Sequence, residues 1–510
     1  MDLRQELVKI LVKETKLSTS EIENLLSVPP DPKLGDYAFP CFKCGGKAEE
    51  TIVGIIKQGK KYGSGQSSQN IVLEYCGPNT NKPLHLGHIR NMALGKAVCN
   101  LLTFQKNKVH PVNIVNDRGI HICQSMLAYQ KWGKKSNQGK PTKKGDHFVG
   151  DYYVKFAQEV KDNPALKDEA QAMLNAWENN DKDVRKLWKL MNSWVLKGFA
   201  QTYKRFGVSF DKEYFESEYY EKGKEIVQEG MENGVFEKEI HPKEKNDGLA
   251  IIAPLEKYGL PNKVILRGDG TSIYITQDMY LAGKRYADFK FDKMMYVVAS
   301  EQQLHFKQLF KILELLQRPF AQNLFHLSYG LVNLPTGRMK SRARYKDLSE
   351  KEIKKRSEAI GLAAIKFFML RTDATKDIVF NPEESLSFEG ETGPYLQYTH
   401  ARACSILRKA GKIKGKANFD LLKEPQEQAL TLLLSKFPDR IKEATDAYRV
   451  HILCRYLLDL AQAFNEFYHA QPVISDDKEL MKARTMLVGA VQQVLQTGLE
   501  LLNIEAMEEM

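Results

Sequence analysis

A short apolar run, a polar turn and a helix-spaced apolar series constrain this chain more than any other feature. Residues 71–75 (IVLEY) read as a buried strand that breaks at Gly77-Pro78-Asn79. Beyond the turn, Ile89, Met92, Ala93, Ala97 and Leu101 share one helical face, and residues 109–115 form a second strand. The alternation returns far along the chain. Residues 264–266, 272–275 and 294–299 read as further strands, and 302–316 as a helix. Strands joined through helices predict a parallel, doubly wound α/β sheet of the Rossmann type. The stretch 135–245 between its halves is charged and helix-rich. From about 350 the pattern is purely helical. Val450, Cys454, Leu457, Ala461, Phe464 and Tyr468 recur at steps of four and three, as in a bundle, and Leu487, Val491 and Val494 mark a last helix.

A chain of 510 residues is too long for a single core. The small, polar stretch 59–70 (GKKYGSGQSSQN) marks a first domain boundary. Lys and Arg number 75 against 64 Asp and Glu, a formal charge of +11. That excess fits a polyanionic partner and equally a plain basic protein. The seven cysteines have no framework spacing, and the Cys41–Cys44 pair has no second pair to complete a metal site. They read as reduced thiols, so a cytoplasmic location is expected. The N-terminus lacks the apolar core of a signal peptide, and no run of 18 apolar residues suggests a membrane span.

His85-Leu86-Gly87-His88 lies between the first strand and its helix. A helix N-terminus offers unpaired N–H groups and partial positive charge to phosphate. Gly87 allows close approach of a nucleotide to the backbone, and two imidazoles can hydrogen-bond phosphate oxygens as charge builds. Taken alone, this turn is shared with nucleotidyltransferases, or is two surface histidines at a helix start.

The wider pattern is more specific. The run Gly77-Pro78-Asn79-Thr80-Asn81-Lys82-Pro83-Leu84-His85-Leu86-Gly87-His88 resembles the SPN-x-x-KP-x-H-x-GH signature of the class I aminoacyl-tRNA synthetases for arginine, with Gly77 in place of Ser. The resemblance continues through Asn116-Asp117-Arg118-Gly119, Tyr274-Ile275-Thr276-Gln277-Asp278, residues 297–305 (VVASEQQLH) and residues 393–402 (GPYLQYTHAR). It implies ATP and L-arginine as substrates, Mg²⁺ associated with ATP, no tightly bound protein metal, and tRNA(Arg) as partner. It also implies that adenylate formation needs tRNA bound. A monomer that touches no membrane is expected.

The resemblance places the substrate's guanidinium on Tyr274, Asp278 and Glu216, and its other polar groups on Glu74, Asn79 and Gln302. Fork-like carboxylates suit a planar guanidinium and not an ammonium. Without that set, Tyr274 reads as a core aromatic and Asp278 as a helix cap. Glu74, on an apolar strand, needs a partner in any case. ATP is assigned to His85, Gly87, His88 and Met339, and catalysis to His85, His88, Lys82, Lys340 and Arg342. The second lysine of the family's K-M-S-K-S loop falls on Ser341, and Lys82 is read as its substitute. Residues 338–344, with a basic side chain at every second position, also read as a solvated loop.

Six segments follow. Residues 1–65 are a shortened N-terminal RNA-binding domain, 66–134 and 246–345 the two halves of the catalytic fold, and 135–245 its helical insertion. A helical connector (346–390) leads to an all-α anticodon-binding domain (391–510). There Gln397, Tyr398, His400, Arg402 and Met510 are expected to meet RNA, although tyrosines at such positions serve equally as packing. A class I synthetase of other specificity and a non-catalytic RNA-binding relative are the alternative readings.

Overall fold

The computed structural model describes residues 3–14, 18–26, 46–133, 140–240, 249–268, 273–334, 350–411 and 415–510. They form two compact units, one of residues 66–338 with 372–381, the other of residues 1–65, 339–371 and 382–510. Cys41, Cys44, Met339, Lys340 and Arg342 lie outside the described residues.

The first unit contains β1 (Asn70–Glu74), β2 (Lys108–Val115), β3 (Lys212–Phe215), β4 (Glu237–Ile240), β5 (Leu249–Ala253), β6 (Lys263–Leu266), β7 (Lys293–Ala299) and β8 (Leu324–Tyr329). Five of these make a parallel sheet in the order β3-β2-β1-β7-β8. β1 is central, with Leu73 opposite Pro111 on one side and Met295 on the other. Ile71, Val72 and Leu73 are all buried. This is why the strand reads as an unbroken apolar run instead of an alternating one. The Leu86–Phe104 helix connects β1 to β2, and the Gln303–Leu315 helix connects β7 to β8. Because β2 and β7 flank β1 on opposite sides, a crevice is expected at the carboxyl ends of β1 and β7.

Three expectations change. The 264–266 strand is β6, which belongs to a separate antiparallel sheet, β4-β5-β6. In place of the 272–275 strand, Tyr274 opens the Tyr274–Phe289 helix, and Thr276 Oγ1 donates to Ile265 O at 2.5 Å. An apolar run that short does not distinguish a strand from a helix start. The 135–245 stretch does contain the helices Gly145–Glu159, Leu166–Glu178 and Lys182–Phe206, but β3 within it rejoins the parallel sheet beside β2.

The second unit is helical. Gly393–Ala410, Pro425–Ser435, Phe437–Asp446, Val450–Ala470 and Lys478–Leu501 pack together. Against them lies the Gly46–Gln58 helix, which contacts Pro425–Ser435 and Lys478–Leu501. Arg484 Nε donates to Glu427 Oε1 at 2.6 Å in the interior.

This unit corrects two of the expected RNA contacts. Gln397 and His400 are 0% and 1% exposed. Gln397 Nε2 donates to Glu505 O at 2.8 Å, and His400 Nδ1 donates to Met507 O at 2.8 Å. Both side chains hold the C-terminal segment on the Gly393–Ala410 helix. Met510 is partly buried against the cluster of Ala359, Ile360 and Met507. Tyr398 remains 40% exposed, with Arg402 Nη2 donating to its hydroxyl at 2.8 Å.

Candidate active site at the carboxyl edge of the sheet

β1 ends at Glu74, and past Tyr75 the chain turns sharply, Cys76 at φ 87° and Gly77 at φ 61°. A left-handed cysteine is strained and needs external support. Asn91 supplies it. Its Oδ1 accepts from Cys76 N at 2.5 Å, while its Nδ2 donates to Val297 O at 2.7 Å. One buried amide therefore fixes the ends of β1 and β7 at the point where the crossovers diverge. The preceding residue, Arg90, is fully buried and donates to the carbonyls of Gly330, Leu331, Ala374 and Lys376 at 2.6–3.2 Å. Neither Asn91 nor Arg90 is distinguishable in sequence from an ordinary polar residue on a helix.

The histidine turn caps this helix. His85 Nδ1 accepts from Gly87 N at 3.2 Å, and His88 Nδ1 accepts from His85 N at 3.2 Å. With each Nδ1 accepting, the ring proton sits on Nε2, so the turn presents two N–H donors to the crevice. Burial, His85 and Lys82 push His88 down to about 3, and burial with Lys82 lowers His85. His88 is therefore neutral at physiological pH and offers an N–H, not a charge, to the crevice. Gly87 leaves room for the cap: a Cβ would stand 3.0 Å from His85 Cε1 and 3.1 Å from its Nδ1. Lys82 is partly exposed, and Gly150 of the insertion lies against the adjoining backbone, where a Cβ would meet Pro83 Cδ at 2.7 Å.

A cavity of about 340 Å³ opens at this edge, lined by Glu74, Gly77, His85, His88, Glu301 and Tyr329 among others. Glu74 and Glu301 are the acids of its lining, and further acids cluster beyond the ends of β2 and β3. β2 runs on into Asp117, whose carboxylate accepts from Ser217 N at 2.9 Å and Ser217 Oγ at 2.7 Å. That clasp holds the Glu216–Tyr219 turn at the end of β3, with Glu216 buried. Asp117 is itself held from the insertion, where Trp188 Nε1 donates to its carbonyl at 2.6 Å. Asp278, one turn into the Tyr274–Phe289 helix, pairs with His305 Nε2 at 2.7 Å.

Buried acids dominate the electrostatics of this cluster. Burial, with Asp117 and Asp278 adding to it, pushes Glu216 up to about 7 against the pull of Arg118, whose Nη1 lies 4.0 Å away. Burial also raises Glu74, with Arg285 opposing. Glu74 already has its partner: Arg285 Nη2 donates to Glu74 Oε2 in the interior. The carboxylate expected to contact substrate is thus neutralised by the protein's own guanidinium.

The other expected residues are placed as follows. Tyr274 is 71% exposed at the helix start above Glu216 and Asp278. Asn79 forms a bridge with Asn116, which ties the turn after β1 to the end of β2. Gln302 is exposed in the Ser300–Gln302 turn after β7, and its neighbour Glu301 lines the cavity. Arg118, Asp117, Arg285 and His305 are not singled out from sequence, although all but Arg285 lie in quoted motifs.

A family model described as "tRNA synthetases class I (R), catalytic domain" matches residues 51–344, and one described as "DALR anticodon binding domain" matches residues 396–510. The chain is thus a class I aminoacyl-tRNA synthetase in fold and domain make-up. Among curated relatives, the arginine–tRNA ligase of Amoebophilus asiaticus is 41% identical over 504 residues, covering 89% of this chain and 83% of its own length. That of Treponema denticola is 40% identical over 564 residues, covering 95% and 94%. The solved arginyl-tRNA synthetase of Thermus thermophilus superposes with a TM-score of 0.74 at 25% identity, covering 100% of both chains. The chain belongs to the arginyl-tRNA synthetase family. No helix among the described residues is long and apolar enough to cross a membrane.

Proposed function

We propose that this chain is an arginine–tRNA ligase working in two steps at the crevice beyond β1 and β7. In the first, the carboxylate of arginine attacks the α-phosphate of ATP, which enters with Mg²⁺, and pyrophosphate leaves. In the second, a hydroxyl of the terminal ribose of tRNA attacks the arginyl carbonyl, and AMP leaves.

The observation that carries this reading is the adjacency of two unlike subsites. A capped histidine turn offers Nε2–H donors at a cavity that Glu74 also lines, and Glu74 lies within electrostatic reach of Asp278, as Asp278 does of the raised Glu216. The first suits the charge that builds on phosphate oxygens, and the second suits a guanidinium. Lys82 supplies a point charge at the phosphates in place of the lysine absent at Ser341, and the 338–342 loop adds more. The protein's work in step one is to position substrates and stabilise charge; no general base is required to ionise a carboxylate that is already ionised. Asp278 and Glu216 take the guanidinium, with Tyr274 closing over it. In the helical unit, the half-exposed Tyr398 beneath Arg402, 4.7 Å from guanidinium carbon to ring centroid, offers a stacking surface for an unpaired base.

Asp278→Asn tests the pocket. The arginine KM in tRNA-dependent ATP–pyrophosphate exchange is expected to rise by about 100-fold or more, the usual cost of breaking a bidentate charged pair. Unaffected arginine use would exclude this pocket.

A further inference from the structure

Tyr219 closes the short turn that Glu216 opens, three positions on and so toward the same side of that helix. It is 4% exposed, and its ring stacks on Tyr280 at a centroid distance of 6.3 Å and an interplanar angle of 21°. Its hydroxyl has no hydrogen-bond partner. The charged groups close enough to act on that hydroxyl are Asp278, Glu216, Arg285 and Glu74, the walls of the acidic pocket. A buried phenol left unpaired is costly, and phenylalanine would fill the same space without that cost. A polar group kept unpaired among the pocket acids points to a ligand that satisfies it.

We propose that Tyr219 is a specificity-determining contact for the substrate guanidinium. Its phenolic oxygen accepts one guanidinium N–H. The proposal rests on the reading of Glu216 and Asp278 as the guanidinium site. A guanidinium carries five N–H donors in one plane, more than two carboxylates in fork geometry take up, and the phenol receives a remaining one. A lysine ammonium has three donors in tetrahedral array and leaves the phenol unpaired again, which discriminates against it.

The test is Tyr219→Phe in the full chain, assayed by ATP–pyrophosphate exchange with tRNA present and by thermal melting without arginine. The expected result is an arginine KM raised about tenfold or more, with kcat and the ATP KM unchanged. The Tm of the arginine-free protein stays the same or rises, since an unsatisfied hydroxyl has been removed. A packing role would instead lower the Tm and disturb ATP along with arginine; that outcome overturns the proposal, as does an unchanged arginine KM. Asp278→Asn assayed alongside separates two failures. If it raises the arginine KM while Tyr219→Phe does not, only the role of Tyr219 falls; if neither variant moves it, the pocket itself is misassigned.

Discussion

Glu216 sets the behaviour of the site at the scale of single residues. Its carboxyl titrates near pH 7 because it is buried beside Asp117 and Asp278, with Arg118 only partly offsetting them. A guanidinium pairs with the ionised form, so below pH 7 arginine must displace a proton. The arginine KM is therefore expected to rise by up to about tenfold per pH unit as pH falls from 7 to 5, and Glu216→Gln to flatten that limb at a high KM. The stability sign is the reverse. A folded value above the ordinary 4.5 means the contribution is full at low pH and is lost as pH rises through about 7. Arginine, by neutralising the charge, is expected to raise the Tm more at pH 8 than at pH 6. Melting curves at both pH values check this; a larger gain at pH 6 would contradict the assigned role. His88, neutral at physiological pH, leaves no limb of its own in this range.

At the scale of elements, the strand–turn–helix unit from β1 to the Leu86–Phe104 helix carries the phosphate end of the site. Its geometry depends on Gly87. Gly87→Ala places a Cβ 3.0–3.1 Å from the His85 ring, which must shift by a few tenths of an ångström and so strains its cap. Loss of about 1 kcal/mol of capping is expected, together with a fall in kcat of roughly 10²-fold as the Nε2–H donors lose their aim. Comparing exchange kinetics with thermal melting checks this, because a variant that loses stability without kcat would refute the link. This unit was legible in sequence because every level agrees: a continuous apolar run, a Gly-Pro-Asn break, a periodic helix. β3 was not. Its residues, Lys212-Glu213-Tyr214-Phe215, are half charged, as suits an edge strand, and nothing local distinguishes them from the helical insertion around them. Tyr274 was assigned to a strand for a related reason, since four residues hold too little periodicity to show a helix start. The burial of Gln397 and His400 was hidden for a different reason. It depends on Glu505 and Met507, more than 100 residues away, folding back on them.

At the scale of the whole molecule, each unit has chemistry of its own, a nucleotide crevice with an acidic pocket in one and a helical surface with Tyr398 and Arg402 in the other. The pocket acids were legible as motif members, but their charge state was not. Glu74 is neutralised by Arg285 and Asp278 is held by His305, and both partners come from distant elements. The division of labour predicts separable defects. Tyr398→Ala is expected to raise the KM for tRNA by about 5- to 100-fold, the value of one stacked base, while leaving the arginine and ATP KM values within twofold. Steady-state aminoacylation at varied tRNA measures it, and an unchanged tRNA KM would remove Tyr398 from the RNA surface. The central claim is that the acidic pocket and the histidine turn together activate arginine for transfer to tRNA. ATP–pyrophosphate exchange by the purified chain, with tRNA present and each amino acid supplied in turn, tests it most directly. The account predicts exchange with arginine and none above background with lysine; exchange that fails with arginine, or proceeds equally with lysine, would contradict it.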